Sequence, residues 1–291
     1  MSFLSHYLFD IPNKDTYPPF KNGLYLEEYF YKRFYEEKPL LKKTYIPCKW
    51  TNFQIHNDFH RNKLDMQKEL DDYINANLNP NGYFTIIQYD DGPLLKLPDN
   101  TTIYSACYKG DVCIPLIYED INNTLETIPN KTFNEKNILC SFVGSFTHNV
   151  RHIIANKFEN NPNFQIVSSG AWTPDINQQK QHSFIDITVN SKFAFGSRGY
   201  GLSSFRLYEI FLLGTIPIYV YDDICWLPYQ EIIDYHKFMI VIHINEIDKL
   251  ENILLSIDEN KYNEMIQEYH KIKQYFTLDG MYQYIINREK E

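Results

Sequence analysis

The sequence lacks the motifs of several large nucleotide-binding and metal-binding classes. It contains no Gly-x-Gly-x-x-Gly fingerprint and no Gly-Lys-Ser/Thr phosphate loop, which argues against a dehydrogenase and a P-loop enzyme. No two of its five cysteines have the Cys-x-x-Cys spacing. We therefore expect neither a structural zinc site nor a disulfide framework.

Positive charge is also scarce, and so are long apolar runs. The net charge of −9 argues against nucleic acid as a main partner, because phosphate backbones need a basic surface. The first 15 residues have neither a basic region nor a long apolar run, so we expect no signal peptide, no membrane anchor and a cytoplasmic location. An anionic ligand would have to be held by a local cluster of arginines and helix ends.

Glycine is infrequent, yet three of the 11 glycines fall within six residues, at Gly196, Gly199 and Gly201. They follow a short apolar run and precede a helix that Ser203 or Ser204 can cap. Glycine permits positive φ, and it removes the side chain that keeps the backbone away from a ligand. The pattern predicts a strand, a glycine loop and a helix.

The helix should end at Gly214, and the β-branched run 215–221 should form a strand that is buried on both faces. A glycine loop at a helix N-terminus favours anions, because unpaired N–H groups and the helix dipole face one point. Arg198 and Arg206 flank this point and can pair with phosphate. Glu209 lies one turn after Arg206 and suits the diol of a ribose. The alternative is a buried βαβ unit whose glycines only allow tight packing.

This stretch resembles the signature of the exostosin-like glycosyltransferases. The resemblance rests on an Arg-Gly-Tyr-Gly loop, a Ser-Phe-Arg-Leu run, an aromatic-Glu pair and a Gly-x-Ile-Pro turn, at Arg198–Gly201, Ser204–Leu207, Tyr208–Glu209 and Gly214–Pro217. It is dense over 193–229 and looser over 138–288. The family often has Cys-Pro before the arginine, where this chain has Gly196-Ser197.

The resemblance implies a GT-B-like α/β fold, in which two Rossmann-like domains face a cleft. Apolar runs and helical patterns alternate at βαβ spacing along the chain, which also predicts parallel sheets. We expect an acceptor-binding domain over 1–130 and a nucleotide-sugar-binding domain over 131–275. By analogy with GT-B enzymes, the helix within 276–291 would pack back on the first domain.

The resemblance also assigns candidate residues. For the donor site these are Gly144, Ser145, Arg151, Arg198, Tyr200, Ser203, Ser204, Arg206 and Glu209. Arg151 would meet the diphosphate, unless it is an ordinary surface arginine. Asp90, at the end of the apolar run 83–89, matches the central Asp of a family triplet and is the candidate base, with Asp91 as the alternative. The competing interpretation is an Asx turn before Gly92.

The function implied is an inverting hexosyl- or pentosyltransferase that moves a sugar from a UDP-sugar to a glycan hydroxyl. No Asp-x-Asp occurs in the chain, which favours a metal-independent mechanism without a cofactor. The alternative is a non-catalytic nucleotide- or glycan-binding module of the same fold. The sequence does not identify the sugar, the linkage or the oligomeric state.

Overall fold

The computed structural model describes residues 17–56 and 63–291, and the chain folds into two compact units. The first unit contains 24–119 and 275–291 among the described residues, and the second contains 17–23 and 120–274. The sequence placed domain boundaries after residues 130 and 275. None of the described helices is long and apolar enough to cross a lipid bilayer.

The first unit is a sheet of four parallel strands in the order β1-β2-β3-β4, with helices packed on it. Its described elements are α1 (Leu26–Glu37), β1 (Thr44–Tyr45), α2 (Trp50–His56), α3 (Lys63–Ala76), β2 (Tyr83–Ile87), β3 (Thr101–Ser105), β4 (Val112–Cys113) and α9 (Leu278–Lys290). Every residue of β2 is buried, as the apolar run predicts for a central parallel strand.

The C-terminal helix α9 belongs to this first unit and packs on α1. The ring centroids of Tyr282 and Phe30 lie 5.2 Å apart, and both residues are buried. Arg33 Nη1 lies 3.0 Å from Asp279 Oδ1 at the edge of the same contact. Two helices that are far apart along the chain therefore share one core.

The second unit is a sheet of five parallel strands in the order β6-β5-β7-β8-β9. Its described elements are β5 (Ile138–Gly144), α4 (Asn149–Phe158), β6 (Phe164–Ser168), α5 (Gln178–Val189), β7 (Ser191–Phe195), α6 (Phe205–Leu212), β8 (Ile216–Tyr221), β9 (Ile240–His243), α7 (Leu250–Leu255) and α8 (Glu259–Ile272). Counted within the unit, the strand order is 2-1-3-4-5, a doubly wound arrangement.

Two parallel α/β sheets agree with a GT-B-like fold, so the predicted fold class is confirmed. The apolar run 83–89 gives a strand that ends already at Ile87. Two further stretches of the sequence, 101–108 and 111–118, have the composition of strands, and they also give shorter ones, Thr101–Ser105 and Val112–Cys113. Two helices, α2 and α5, had no counterpart in the sequence-based prediction.

Candidate functional site

The topology of the second unit places the predicted loops together. Strands β5 and β7 are neighbours in the sheet, but the chain leaves them toward opposite sides because β6 lies beyond β5 and β8 beyond β7. Such a switch point opens a crevice at the carboxyl ends of the strands, where ligands of doubly wound folds bind. Gly144 ends β5, and the glycine loop 196–204 follows β7.

Close approach, and not positive φ, requires glycine at position 196. A Cβ on Gly196 would lie 2.7 Å from the Cα of Leu207, so only glycine lets α6 pack this tightly on the strand end. A Cβ on Gly199 would lie 3.3 Å from Thr147 Oγ1 and 3.4 Å from Arg151 Nη2. Positive φ, which the sequence reasoning offered for this loop, instead occurs at Gly214, where it ends α6 as predicted.

Arg151 lies at the centre of the site and is 7% exposed, so the interpretation as a surface arginine is wrong. Its guanidinium donates to the carbonyl oxygens of Ser145 at 2.8 Å, Ser197 at 3.0 Å and Arg198 at 2.8 Å. It also donates to the Ser204 hydroxyl at 3.3 Å. One side chain thus ties the loop after β5 to the loop after β7.

No acid in the described part of the chain balances the charge of Arg151. Among the described residues, no carboxylate oxygen lies within salt-bridge distance of its guanidinium. Burial lowers the pKa of Arg151 to about 10, because the charged form loses its hydration. The hydroxyl of Ser197 beside it is buried and has no hydrogen-bond partner among the described residues. This pocket of the loop therefore favours an anion.

Arg198 is also buried, but its charge is shared by two acids. Its Nη1 lies 3.3 Å from Asp222 Oδ1 and 3.0 Å from Asp223 Oδ1, just after the end of β8. Its other nitrogens donate to the carbonyl oxygens of Gly201 and Tyr200. A diphosphate at this position would compete with both carboxylates. The ring of Tyr200 itself is 64% exposed.

Helix α6 carries the remaining donor-site candidates. Ser204 is its N-cap and accepts from the backbone N–H of Arg206. Arg206 pairs with Glu209 one turn later, as their spacing predicts, and its guanidinium carbon lies 3.6 Å from the ring centroid of Phe184. The Glu209 side chain is only 3% exposed, and its carboxylate contacts the guanidinium group of Arg206. Ser203 is buried, and its carbonyl oxygen accepts from Gly199.

Aromatic side chains that the sequence did not single out surround this end of α6. Tyr17 packs edge-to-face on Trp172 at 5.5 Å and on Phe205 at 6.1 Å, and Phe20 lies 6.0 Å from Phe184. Trp172 is 55% exposed in the loop that follows β6. The only sequence signal for this cluster is a general aromatic excess, which does not say which rings meet.

Asp90 and Asp91 lie in the first unit, and both are exposed. They occupy a turn in which Gly92 N–H donates to Tyr89 O at 3.2 Å, three to four residues beyond the end of β2. The backbone therefore makes a turn here, just before the position where the sequence offered an Asx turn. Both aspartates lie beyond the end of β2, where side chains no longer alternate between the two faces of the sheet.

A third acid near the carboxyl end of β2, Glu27, was missed by sequence reasoning. Glu27 on α1 is 2% exposed, and its carboxylate accepts from Gln88 N–H at 2.6 Å and from the N–H and hydroxyl of Thr51 at 2.9 Å each. Burial raises the pKa of Glu27 to about 7. Its position in an amphipathic helix gives no sign of contacts with residues 24 and 61 positions away.

Metal ligands do not cluster in the described ranges. No group of three or more His, Cys, Asp or Glu side chains within 17–56 and 63–291 is placed to hold an ion. The acidic pair Asp222-Asp223 is instead engaged by Arg198.

Comparison with known proteins identifies the family. The exostosin GT47 domain matches residues 97–257, which is more than half of the chain. Two probable glycosyltransferases of Arabidopsis thaliana are similar to this chain. One is 24% identical over 174 residues, or 58% of this chain and 31% of the relative, and the other is 23% identical over 169 residues, or 57% and 33%.

These alignments cover about a third of each Arabidopsis protein. The matched domain contains both the switch point between β5 and β7 and the glycine loop with its arginines. On this match the chain belongs to the exostosin GT47 family of glycosyltransferases.

Proposed function

We propose that this chain transfers a hexose or pentose from a UDP-sugar to a hydroxyl of a glycan acceptor, with inversion at the anomeric carbon. Family membership supports sugar transfer. The observation that supports an anionic donor is the buried charge of Arg151 at the switch point, which no described acid balances. A nucleotide diphosphate fits a site that combines a buried cation, a glycine loop and a capped helix N-terminus.

The donor's diphosphate would lie against the loops that begin at Gly144 and Gly196. Arg151, Arg198 and the N–H groups at the start of α6 would stabilise the negative charge that grows on the leaving group. The backbone at Ser145, Tyr200 and Ser203 would shape the loop around it. Arg206 would pair with the diphosphate of the nucleotide, and the carboxylate of Glu209 would accept from the ribose hydroxyls.

The reaction is a single displacement. The acceptor oxygen forms a bond to the anomeric carbon while the bond from that carbon to the β-phosphate oxygen breaks, and the electron pair stays with the leaving diphosphate. The proton of the acceptor hydroxyl passes to the carboxylate of Asp90, with Asp91 as the alternative. The acceptor would be bound mainly by the first unit.

We propose that this chemistry needs no metal ion. A divalent cation in such a reaction offsets the charge of the diphosphate, and here the arginines and the N-terminus of α6 would do the same. The support is the pair of buried guanidinium groups, Arg151 and Arg198, that border the glycine loop.

A screen of UDP- and GDP-sugars tests the proposal. The purified protein should slowly release one nucleotide from its donor without an acceptor, and faster with the right glycan. Proton NMR of the glycoside product should show an anomeric configuration opposite to that of the donor. If nucleotides bind but no donor is turned over with any glycan, the chain is a binding module. If no nucleotide binds at all, the assignment of these residues to a donor site is wrong.

A further inference from the structure

His148 is a histidine whose tautomer is set by the fold. It is the N-cap of α4, and its Nδ1 accepts a hydrogen bond from the backbone N–H of Val150 at 3.3 Å. An Nδ1 that accepts cannot carry a proton, so the neutral ring carries its proton on Nε2. The helix cap therefore leaves Nε2–H as a donor with a fixed direction.

The Nε2–H group points toward Asp222, whose carboxylate also contacts Arg198, at the switch point between β5 and β7. Nε2 lies 3.9 Å from Asp222 Oδ2, which is beyond hydrogen-bond distance, and the side chain is 22% exposed. No acceptor within the described residues takes a hydrogen bond from Nε2. The same carboxylate of Asp222 contacts Arg198, and Arg151 lies one turn further along α4.

The ring is neutral at physiological pH. Burial lowers the pKa of His148, and the nearby charge of Arg198 lowers it further, outweighing the opposite effect of Asp222 and Asp223. A neutral donor adds a hydrogen bond to the site without adding to the repulsion between the two arginines. A donor with a fixed direction stabilises an oxygen that gains negative charge during the reaction, because the hydrogen bond strengthens in the transition state.

We propose that His148 is a donor-site residue whose Nε2–H hydrogen-bonds the diphosphate of the nucleotide sugar beside Arg198. This inference rests on the proposed function, since it assigns a further contact within the same site. The phosphate oxygen would accept from His148 Nε2–H and from Arg198, whose guanidinium group now contacts the carboxylate of Asp222. No proton is transferred in this step.

The variant His148→Asn separates the two roles of the ring. Asparagine is a strong N-cap, so its Oδ1 can still accept from Val150, but its side chain ends near the position of Nδ1 and has nothing at Nε2. The matched control is His152→Asn, one turn later on α4, where the ring is exposed and packs against Phe146. Thermal unfolding of both variants verifies that the helix is intact.

The measurement is calorimetric titration of each protein with UDP, GDP and uridine. Loss of one hydrogen bond to a charged group should weaken UDP binding by about tenfold in His148→Asn, while uridine binding and the control variant stay at the wild-type value. Equal UDP affinity in wild type and His148→Asn overturns this inference and leaves the donor site standing. A wild-type protein that binds neither UDP nor GDP overturns the proposed function, and this inference with it.

Discussion

Replacing Glu27 with glutamine should remove a pH-dependent loss of stability from the first unit. The carboxylate is buried and accepts three hydrogen bonds, from Gln88 N–H and from the N–H and hydroxyl of Thr51. Those bonds favour the charged form, yet burial outweighs them and raises the pKa from 4.5 to about 7. The folded carboxyl therefore holds its proton more tightly than the unfolded one.

The sign and size follow from these two values. A raised pKa in an acid favours the folded state at low pH, and this contribution is lost as pH rises from about 4.5 to about 7. Between pH 5 and pH 8 Glu27 should lower the free energy of unfolding of the wild type by about 2–3 kcal/mol. Glutamine does not titrate, and its amide group facing Thr51 N–H adds only a cost that is constant with pH.

Urea unfolding followed by circular dichroism, at steps from pH 5 to pH 8, measures the effect. The difference in unfolding free energy between Glu27→Gln and wild type should shift in favour of the variant by about 2–3 kcal/mol across this range, because all other groups titrate alike in both proteins. Glu36→Gln, at an exposed position of the same helix, should keep a constant difference from wild type. A constant difference for Glu27→Gln as well would refute the account of a buried carboxylate whose pKa is raised in the folded state.

Three further predictions concern the reaction. Arg206→Ala and Glu209→Ala should each weaken UDP binding by about ten- to a hundredfold, since each loses a charge-assisted contact; unchanged affinity in both would remove the pair from the donor site. Turnover should survive EDTA, and loss of activity that Mn²⁺ or Mg²⁺ restores would show that the arginines do not suffice. Asp90→Asn should lower kcat by about 10²- to 10⁴-fold with donor affinity unchanged, whereas Asp91→Asn should do much less; the reverse pattern would move the base to Asp91.

Much of the second unit could be predicted from local sequence. The strand, glycine loop, helix and strand over 193–223 each carry their own signal, from the apolar run before Gly196 to the helix stop at Gly214. Helix α5 gave no such signal, because its segment is rich in polar and β-branched residues and its buried positions are few. Tertiary packing of Phe184 and the N-cap Asn177 stabilise it instead.

The sequence also predicted which charged residues could form the site, but not which of them are paired with acids. Arg151 and Arg198 look equivalent as free cations in the sequence. In the structure Arg151 has three carbonyl partners and no acid among the described residues, whereas Arg198 meets two aspartates. Acids therefore share the charge of Arg198, whereas no described acid shares that of Arg151.

The parallel α/β class, the glycine loop and the family could be predicted from the sequence alone, because these depend on spacing within about 30 residues. The folded structure was needed to show that Arg198 contacts Asp222, that His148 points its Nε2 toward the same acid, and that Glu27 accepts from Gln88. Those contacts join residues 24, 74 and 61 positions apart. The first two form because parallel strands bring their carboxyl ends to one edge of the sheet, whatever the length of chain between them. The third forms because α1 packs on β2, which brings Glu27 near the residue that follows the strand.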